Sequence, residues 1–376
     1  MAKSNITLLS VKKSVRKTFG KSFLAMSAGV TLSFASTVCH NVLADEVIKA
    51  EQKLLASLND IQNLQLDTAL SNISELEKEY PKYKLAQLIK ADLLAAKTGQ
   101  TNLQKSVYEK NPKSVDRLLA EAEVRWQFSK ESLKNNAHFD DFVLKTAHQK
   151  NIVLVSLQES RLYLFERNSK GKMERVADYY VTMGRKGSGK QKEGDNRTPI
   201  GVYHVVDLLP DSSLPDLYGV GALPLNYPND WDKEHGKTGS GIWLHGVPSD
   251  TYIRAPKASR GCVVLNNTAM KRLLADYQLP YSTPVLIVDQ KHANSGFVES
   301  KENLLQDVRG WLADNEHVVD WQDVSVYRYP DEENLFYITF PGSEKNTLVQ
   351  QYWKRDSGGD WKVLVQSKNN IQMATK

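Results

Sequence analysis

Apolar positions along this chain follow three successive patterns. From residue 45 to 148 the spacing is helical. Leu54, Leu55, Leu58, Ile61 and Leu64 recur three and four residues apart, which places them on one face of an α-helix. The pattern continues from Leu66 to Glu79, stops at Tyr80-Pro81, and resumes from Tyr83 to Lys97 through Leu85, Leu88, Ile89, Leu93 and Leu94. Proline has no amide N–H to give to a helix ladder, so the interruption predicts a helical hairpin. From Ile152 the period shortens. Val153, Val155 and Leu157, then Leu162 and Leu164, alternate as strand residues do. Further strands are predicted at Tyr179–Met183, Gly201–Val206, Ile242–His245, Cys262–Leu265 and Pro284–Asp289, with one clear helix at Met270–Tyr277. The tail predicts a helix over Asn303–Asn315, then strands at Val324–Tyr329, Leu335–Phe340, Thr347–Trp353 and Trp361–Val365. Pro330-Asp331, Pro341-Gly342 and Gly358-Gly359-Asp360 supply the turns between them.

A chain of 376 residues is too long for one ordinary core. The patterns predict an α+β multidomain protein. A helical domain spans 45–148, a β-rich, mostly antiparallel, sandwich-like domain spans 149–290, and a polar linker at 291–300 leads to a small α+β domain at 301–376. Ala69, the break at Pro81 and the run Ala86–Ala96 resemble one tetratricopeptide-type unit. No second copy follows at a fixed period, so a packing or self-dimerising module is expected rather than an array. The C-terminal helix and meander resemble the end of a nuclear-transport-factor-two-like fold, and would serve either as a stabilising cap or as a ligand pocket. The long connection Leu208–Lys237, with four prolines, is a candidate lid.

Residues 1–44 read as an export signal. Six basic residues and no acidic ones precede or flank the uncharged run Phe23–Ala35, and Val42-Leu43-Ala44 supplies small residues for a cut before Asp45. An uncleaved anchor is the alternative. Either way the protein is expected to work outside the cytoplasmic membrane, in a periplasm. The formal charge of +5 comes from this segment; without it, 43 basic residues face 44 acidic ones. Bulk charge therefore gives no support to a nucleic-acid partner.

The chain has two cysteines, Cys39 in the export segment and Cys262. Cys262 would be the sole thiol of a processed protein, either an inert core residue or a reactive group. A reactive thiol needs a base, because the free thiol is mostly protonated at neutral pH. His245 ends the apolar run Ile242-Trp243-Leu244 and is followed by Gly246, so its ring can face a cleft edge. Cys262 opens another apolar strand. Two such strand ends can be neighbours in one sheet. Gly261 lets the backbone approach closely, and the amides of Gly261 and Cys262 are candidates for an oxyanion hole. Taken alone, the pair also fits a locally satisfied histidine beside an inert cysteine.

Four ordered segments add context: Gly194–Tyr203 (with Thr198-Pro199-Ile200-Gly201), His235–Gly246, Ser259-Arg260-Gly261-Cys262, and Ser282–Val288. Together they resemble the L,D-transpeptidase catalytic domain, also called the YkuD domain, over roughly residues 150–290. The resemblance implies a peptidoglycan enzyme that uses neither metal nor organic cofactor and whose partners are stem peptides. It implies Cys262 as nucleophile, His245 as general base, Gly261 and Cys262 as backbone oxyanion donors, and Ser259 as a loop-shaping hydroxyl. His235, Gly246 and Trp243 are candidate substrate contacts, Trp243 also packing beneath the cleft. Two positions depart from the common motif. Arg260 stands where a histidine is usual, and would place positive charge beside the thiol. Val264 stands where an arginine is usual. This variant is similar to the cell-shape L,D-carboxypeptidases of helical bacteria. Three functions follow: a transpeptidase, a carboxypeptidase or amidase that uses water, and a silent wall-binding scaffold. The first two require a thiolate or a Cys–His ion pair, so activity is expected to fall at low pH.

Overall fold

The computed structural model of the protein describes residues 42–100, 108–131, 137–279, 281–289, 301–314, 319–344, 346–356 and 360–370. The export segment up to residue 41, Cys39 included, and the linker 291–300 lie outside the described residues. The backbone forms two compact units, one ending at Gln127 and one beginning at Phe128.

The first unit is helical, built from Val42–Gln62, Leu66–Glu79, Lys84–Thr98 and the start of Pro112–Glu131. The expected hairpin forms across Tyr80-Pro81. The first two segments are not continuous, however: Leu64 takes a positive φ of 62° and is 62% exposed, so it ends a turn rather than extending a buried face. Leu54, Ile73, Leu76, Leu85 and Ile89 form the dry interior. Buried Glu121 accepts hydrogen bonds from Tyr83 and Arg125, and Arg125 also pairs with Glu51. Burial pushes the Glu121 carboxyl up, and Arg125 and the Tyr83 hydroxyl offset part of that cost. Among the described residues no helix is long and apolar enough to cross a membrane.

The second unit opens with a short helix, Ala137–Phe142, and then departs from expectation. Residues 143–145 were expected to be helical but form a strand. The strands run in chain order as β1 (Val143–Lys145), β2 (Asn151–Ser156), β3 (Arg161–Arg167), β4 (Met173–Tyr180), β5 (Met183–Gly184), β6 (Gly201–His204), β7 (Leu209–Pro210), β8 (Gly221–Pro224), β9 (Trp243–His245), β10 (Lys257–Ser259), β11 (Val263–Val264), β12 (Pro284–Val288), β13 (Ser325–Arg328), β14 (Leu335–Pro341), β15 (Thr347–Arg355) and β16 (Trp361–Asn370). One five-stranded sheet has the order β4-β3-β2-β12-β6, and a four-stranded sheet the order β11-β9-β8-β7. Parallel pairs occur at β2/β12, β5/β10 and β9/β11.

Every residue of β2 is buried, not every second one. Both faces of its sheet are covered, which is why Ile152 and Leu154 are as apolar as Val153 and Val155. One cover is the C-terminal sheet, order β1-β13-β14-β15-β16. Tyr327, Tyr329, Leu335, Tyr337 and Tyr352 pack in one cluster with Ile152, Leu154, Val202, Trp231 and Leu286. The opposite face of that C-terminal sheet carries the helix Lys301–Asp314 through Leu304, Val308 and Leu312. The regions 149–290 and 301–376 therefore share a core, and β1 ties residue 143 to the tail. Gly201 marks how close the two come: a side chain there would meet the Tyr329 hydroxyl at 2.5 Å.

Candidate active site

Strands β9 and β11 lie side by side with Val263 opposite Leu244 and Val264 opposite His245. Leu244 and Val263 are fully buried and hold this parallel pair against the interior. Side chains alternate along a strand. Cys262, one residue before β11, therefore projects on the same side as Val264 and His245. The sheet brings thiol and imidazole to one face, at adjoining strand ends.

The two do not share a hydrogen bond here. The Cys262 thiol donates to the Gly241 carbonyl at 3.3 Å. His245 Nδ1 lies 2.7 Å from the Gly246 carbonyl oxygen. A carbonyl can only accept, so Nδ1 carries the proton and Nε2 of the neutral ring keeps its lone pair. Burial holds this imidazole down at about 4 against the Gly246 carbonyl, and the Arg254 charge adds to the depression. Burial pushes the Cys262 thiol up. Backbone amides of Trp243 and Cys262 itself, with the charges of Arg254 and Lys190, pull it back part of the way. Both shifts disfavour a Cys–His ion pair in the free protein. With the thiol raised and the imidazole lowered, the neutral form of each group is favoured.

The loop before Cys262 is fixed from within. Ser259, buried, donates its hydroxyl to the Cys262 carbonyl at 2.6 Å and accepts from the Gly261 amide at 3.0 Å. The Gly261 N–H is therefore occupied by Ser259 and is not a free oxyanion donor, contrary to expectation. The amides of Cys262 and Trp243 turn toward the sulfur instead. Gly261 has φ +134°, and a side chain there would meet the Arg197 carbonyl oxygen at 2.8 Å. Its own carbonyl accepts from buried Thr198, whose hydroxyl in turn accepts from the Gly184 amide. The Thr198 segment buttresses the cysteine loop.

Other expected residues divide. Trp243 is half-buried and stacks at 4.8 Å on Tyr218, which also meets the His245 ring edge-on at 5.1 Å. Tyr218, from the long proline-containing connection, thus covers the imidazole. Gly246 is a packing glycine: its amide donates to the Tyr218 carbonyl, and Asn267 leaves no room for a side chain. His235 does not join the cysteine. Its ring stacks on Trp231 at 4.0 Å and its Nδ1 faces the Trp231 carbonyl. Arg260 is exposed, and the positive charge acting on the thiol comes from Arg254 and Lys190. The sequence reading missed both, and also Asn267, which binds both backbone groups of Val247 and so fixes the turn after His245. Among the described residues, no group of three or more His, Cys, Asp or Glu side chains is arranged to hold a metal ion.

Residues 150–287 match the YkuD family, the L,D-transpeptidase catalytic domain. A search of curated protein sequences gave no match. Among solved structures, the chain is similar to Bd1075 of Bdellovibrio bacteriovorus, with 24% identity and a TM-score of 0.46 over 61% of this chain and 98% of that one. It is similar to the helical cell shape determining protein Pgp2 of Campylobacter jejuni, with 21% identity and a TM-score of 0.44 over 67% of this chain and 99% of that one. An L,D-transpeptidase of Xylanimonas cellulosilytica matches at 20% identity and a TM-score of 0.27 over 43% of this chain and 69% of that one.

Proposed function

With residues 150–287 forming a YkuD L,D-transpeptidase catalytic domain, we propose that this protein is a peptidoglycan-remodelling cysteine enzyme. The observation that carries the reading is the placement of Cys262 and His245 on one face of the β9/β11 pair, inside that domain, with His245 Nε2 unprotonated. The substrate is a tetrapeptide stem. As His245 Nε2 takes the thiol proton, the Cys262 sulfur bonds to the carbonyl carbon of the diamino acid's L-centre. The amides beside the sulfur receive the developing oxyanion; such donors contribute about 3–4 kcal/mol each in acyl transfer. The imidazolium returns its proton to the departing D-alanine amine, leaving a thioester. Water then releases the tripeptide, or an amine from a second stem takes the acyl group.

Val264 stands where the common motif has an arginine, as in the cell-shape L,D-carboxypeptidases that this variant resembles, so trimming by hydrolysis is the primary outcome proposed. Export through residues 1–44 would place the enzyme in the periplasm, where the wall is reached. The test is digestion of purified disaccharide tetrapeptides and intact sacculi, read by mass spectrometry. Tripeptide with free D-alanine indicates hydrolysis, and new 3–3 linked dimers indicate transfer. Cys262→Ser abolishes both. Full activity in that variant, or no turnover by the natural protein, overturns the proposal.

A further inference from the structure

Arg254 stands out among the cations near the thiol because, among the described residues, no carboxylate pairs with it. Lys190, the other one, is neutralised by Asp195 at 3.0 Å. Arg254 is half-buried, and its guanidinium makes a single long hydrogen bond, from Nη2 to the Leu217 carbonyl at 3.4 Å. A guanidinium taken partly out of water needs a partner, and its planar fork of donors matches a carboxylate.

The side chain's place is fixed by two independent sets of contacts. Its backbone carbonyl accepts from the Tyr180 hydroxyl at 3.2 Å and the Thr182 hydroxyl at 2.9 Å. Thr182 in turn exchanges both backbone hydrogen bonds with Val264, two residues past the cysteine. Met183 N donates to the Pro256 carbonyl on the far side of the arginine. At the other end, the guanidinium touches Leu217, whose neighbour Tyr218 lies on the His245 ring. The segment carrying Arg254 is thus strapped to the cysteine strand, and its tip is strapped to the cover of the histidine. Its charge is felt by both groups.

We propose that Arg254 forms an anion subsite beside Cys262 that binds the free C-terminal carboxylate of the substrate peptide. This rests on the proposed function. What it adds is the residue that recognises the peptide end which the proposed reaction releases.

The test compares a stem tetrapeptide having a free terminal carboxylate with the same peptide as its C-terminal amide. The natural protein should prefer the acid in kcat/KM. Arg254→Gln should lower kcat/KM for the acid about 10- to 100-fold, chiefly through KM, as expected for a lost charge-assisted bidentate contact. It should lower amide turnover far less, so the acid-to-amide ratio collapses; the amide turnover that remains also reports an intact fold and nucleophile. Arg254→Lys should recover part of the acid preference. An unchanged acid-to-amide ratio in Arg254→Gln overturns the proposal. So does an equal loss on both peptides, which assigns Arg254 to the thiol or to folding. A natural protein inactive on both peptides instead removes the function reading and this subsite with it.

Discussion

At the scale of the residue, the site works against the ordinary titration of its two central groups. Burial lifts the Cys262 thiol and holds the His245 imidazole at about 4. Charging either one costs free energy, and in the proposed mechanism the pair rests neutral and transfers its proton only in the reaction. In that mechanism the acid limb of kcat/KM belongs to His245, which must be unprotonated. Activity should therefore hold from neutral pH down to about 5, with a midpoint near 4. A midpoint near 6.5 in the pH–rate profile would show a solvated imidazole and defeat the neutral-pair mechanism. Alkylation of Cys262 by iodoacetamide, which reads the thiolate directly, should rise only above the ordinary thiol range. The same depression sets a stability slope. The unfolded imidazole binds a proton near 6.5 and the folded one near 4, so stability falls as pH drops from about 6.5 to 4. That the strand ends carrying His245 and Cys262 are neighbours was legible, because each closes or opens an apolar run. Arg254 was not: a single arginine in a polar loop has no periodicity, and its proposed role rests on the lack, among the described residues, of a carboxylate paired with it.

At the scale of the element, the cysteine loop is held by backbone constraints. Ser259 satisfies one amide and one carbonyl across the turn, the first bond buried and the second partly so. Ser259→Ala leaves them unpaired, at a cost of about 1–3 kcal/mol. Melting temperature should drop by several degrees, and kcat should fall about tenfold or more as the sulfur loses its fixed position. Gly261→Ala should be worse, since it combines a φ of +134° with a contact against the Arg197 carbonyl. A Gly261→Ala variant of natural stability and activity would show that the loop relaxes freely. The helical hairpin at Pro81 and the C-terminal meander were readable, because long periodic runs bounded by breakers specify their own type. Strands β7 and β8 were not. They are short and carry proline, and they are held as strands by the order β9-β8-β7, which the sequence does not show. The strand at 143–145 was hidden for a similar reason: its partner, β13, begins only at Ser325, in the tail. The free oxyanion amide expected of Gly261 failed because the nearby hydroxyl captured it, a contact that spacing does not reveal.

At the scale of the whole second unit, the apparent boundary between 149–290 and 301–376 is only a boundary in sequence. Tyr329 is the clearest case. It is fully buried, accepts a hydrogen bond from Asn229, faces Gly201, and packs against Trp231 and Tyr352. Asn229 also binds the Val202 carbonyl and caps the short helix Asp230–Glu234, whose Asp232 accepts from Tyr203 and Lys237. One tail residue thus closes a buried polar network that lies entirely within the region carrying the cysteine. Cutting Tyr329 to alanine removes a large buried ring and leaves Asn229 short of a partner, a loss of about 3–5 kcal/mol. Because the two regions share one core, that loss should not stay local. Urea unfolding followed by tryptophan fluorescence and by residual activity should give coincident midpoints in the natural protein. Tyr329→Ala should move both downward together. If the tail instead melts alone while Cys262 activity persists at the natural midpoint, the C-terminal sheet is an appendage rather than half of the scaffold on which the thiol and imidazole are held.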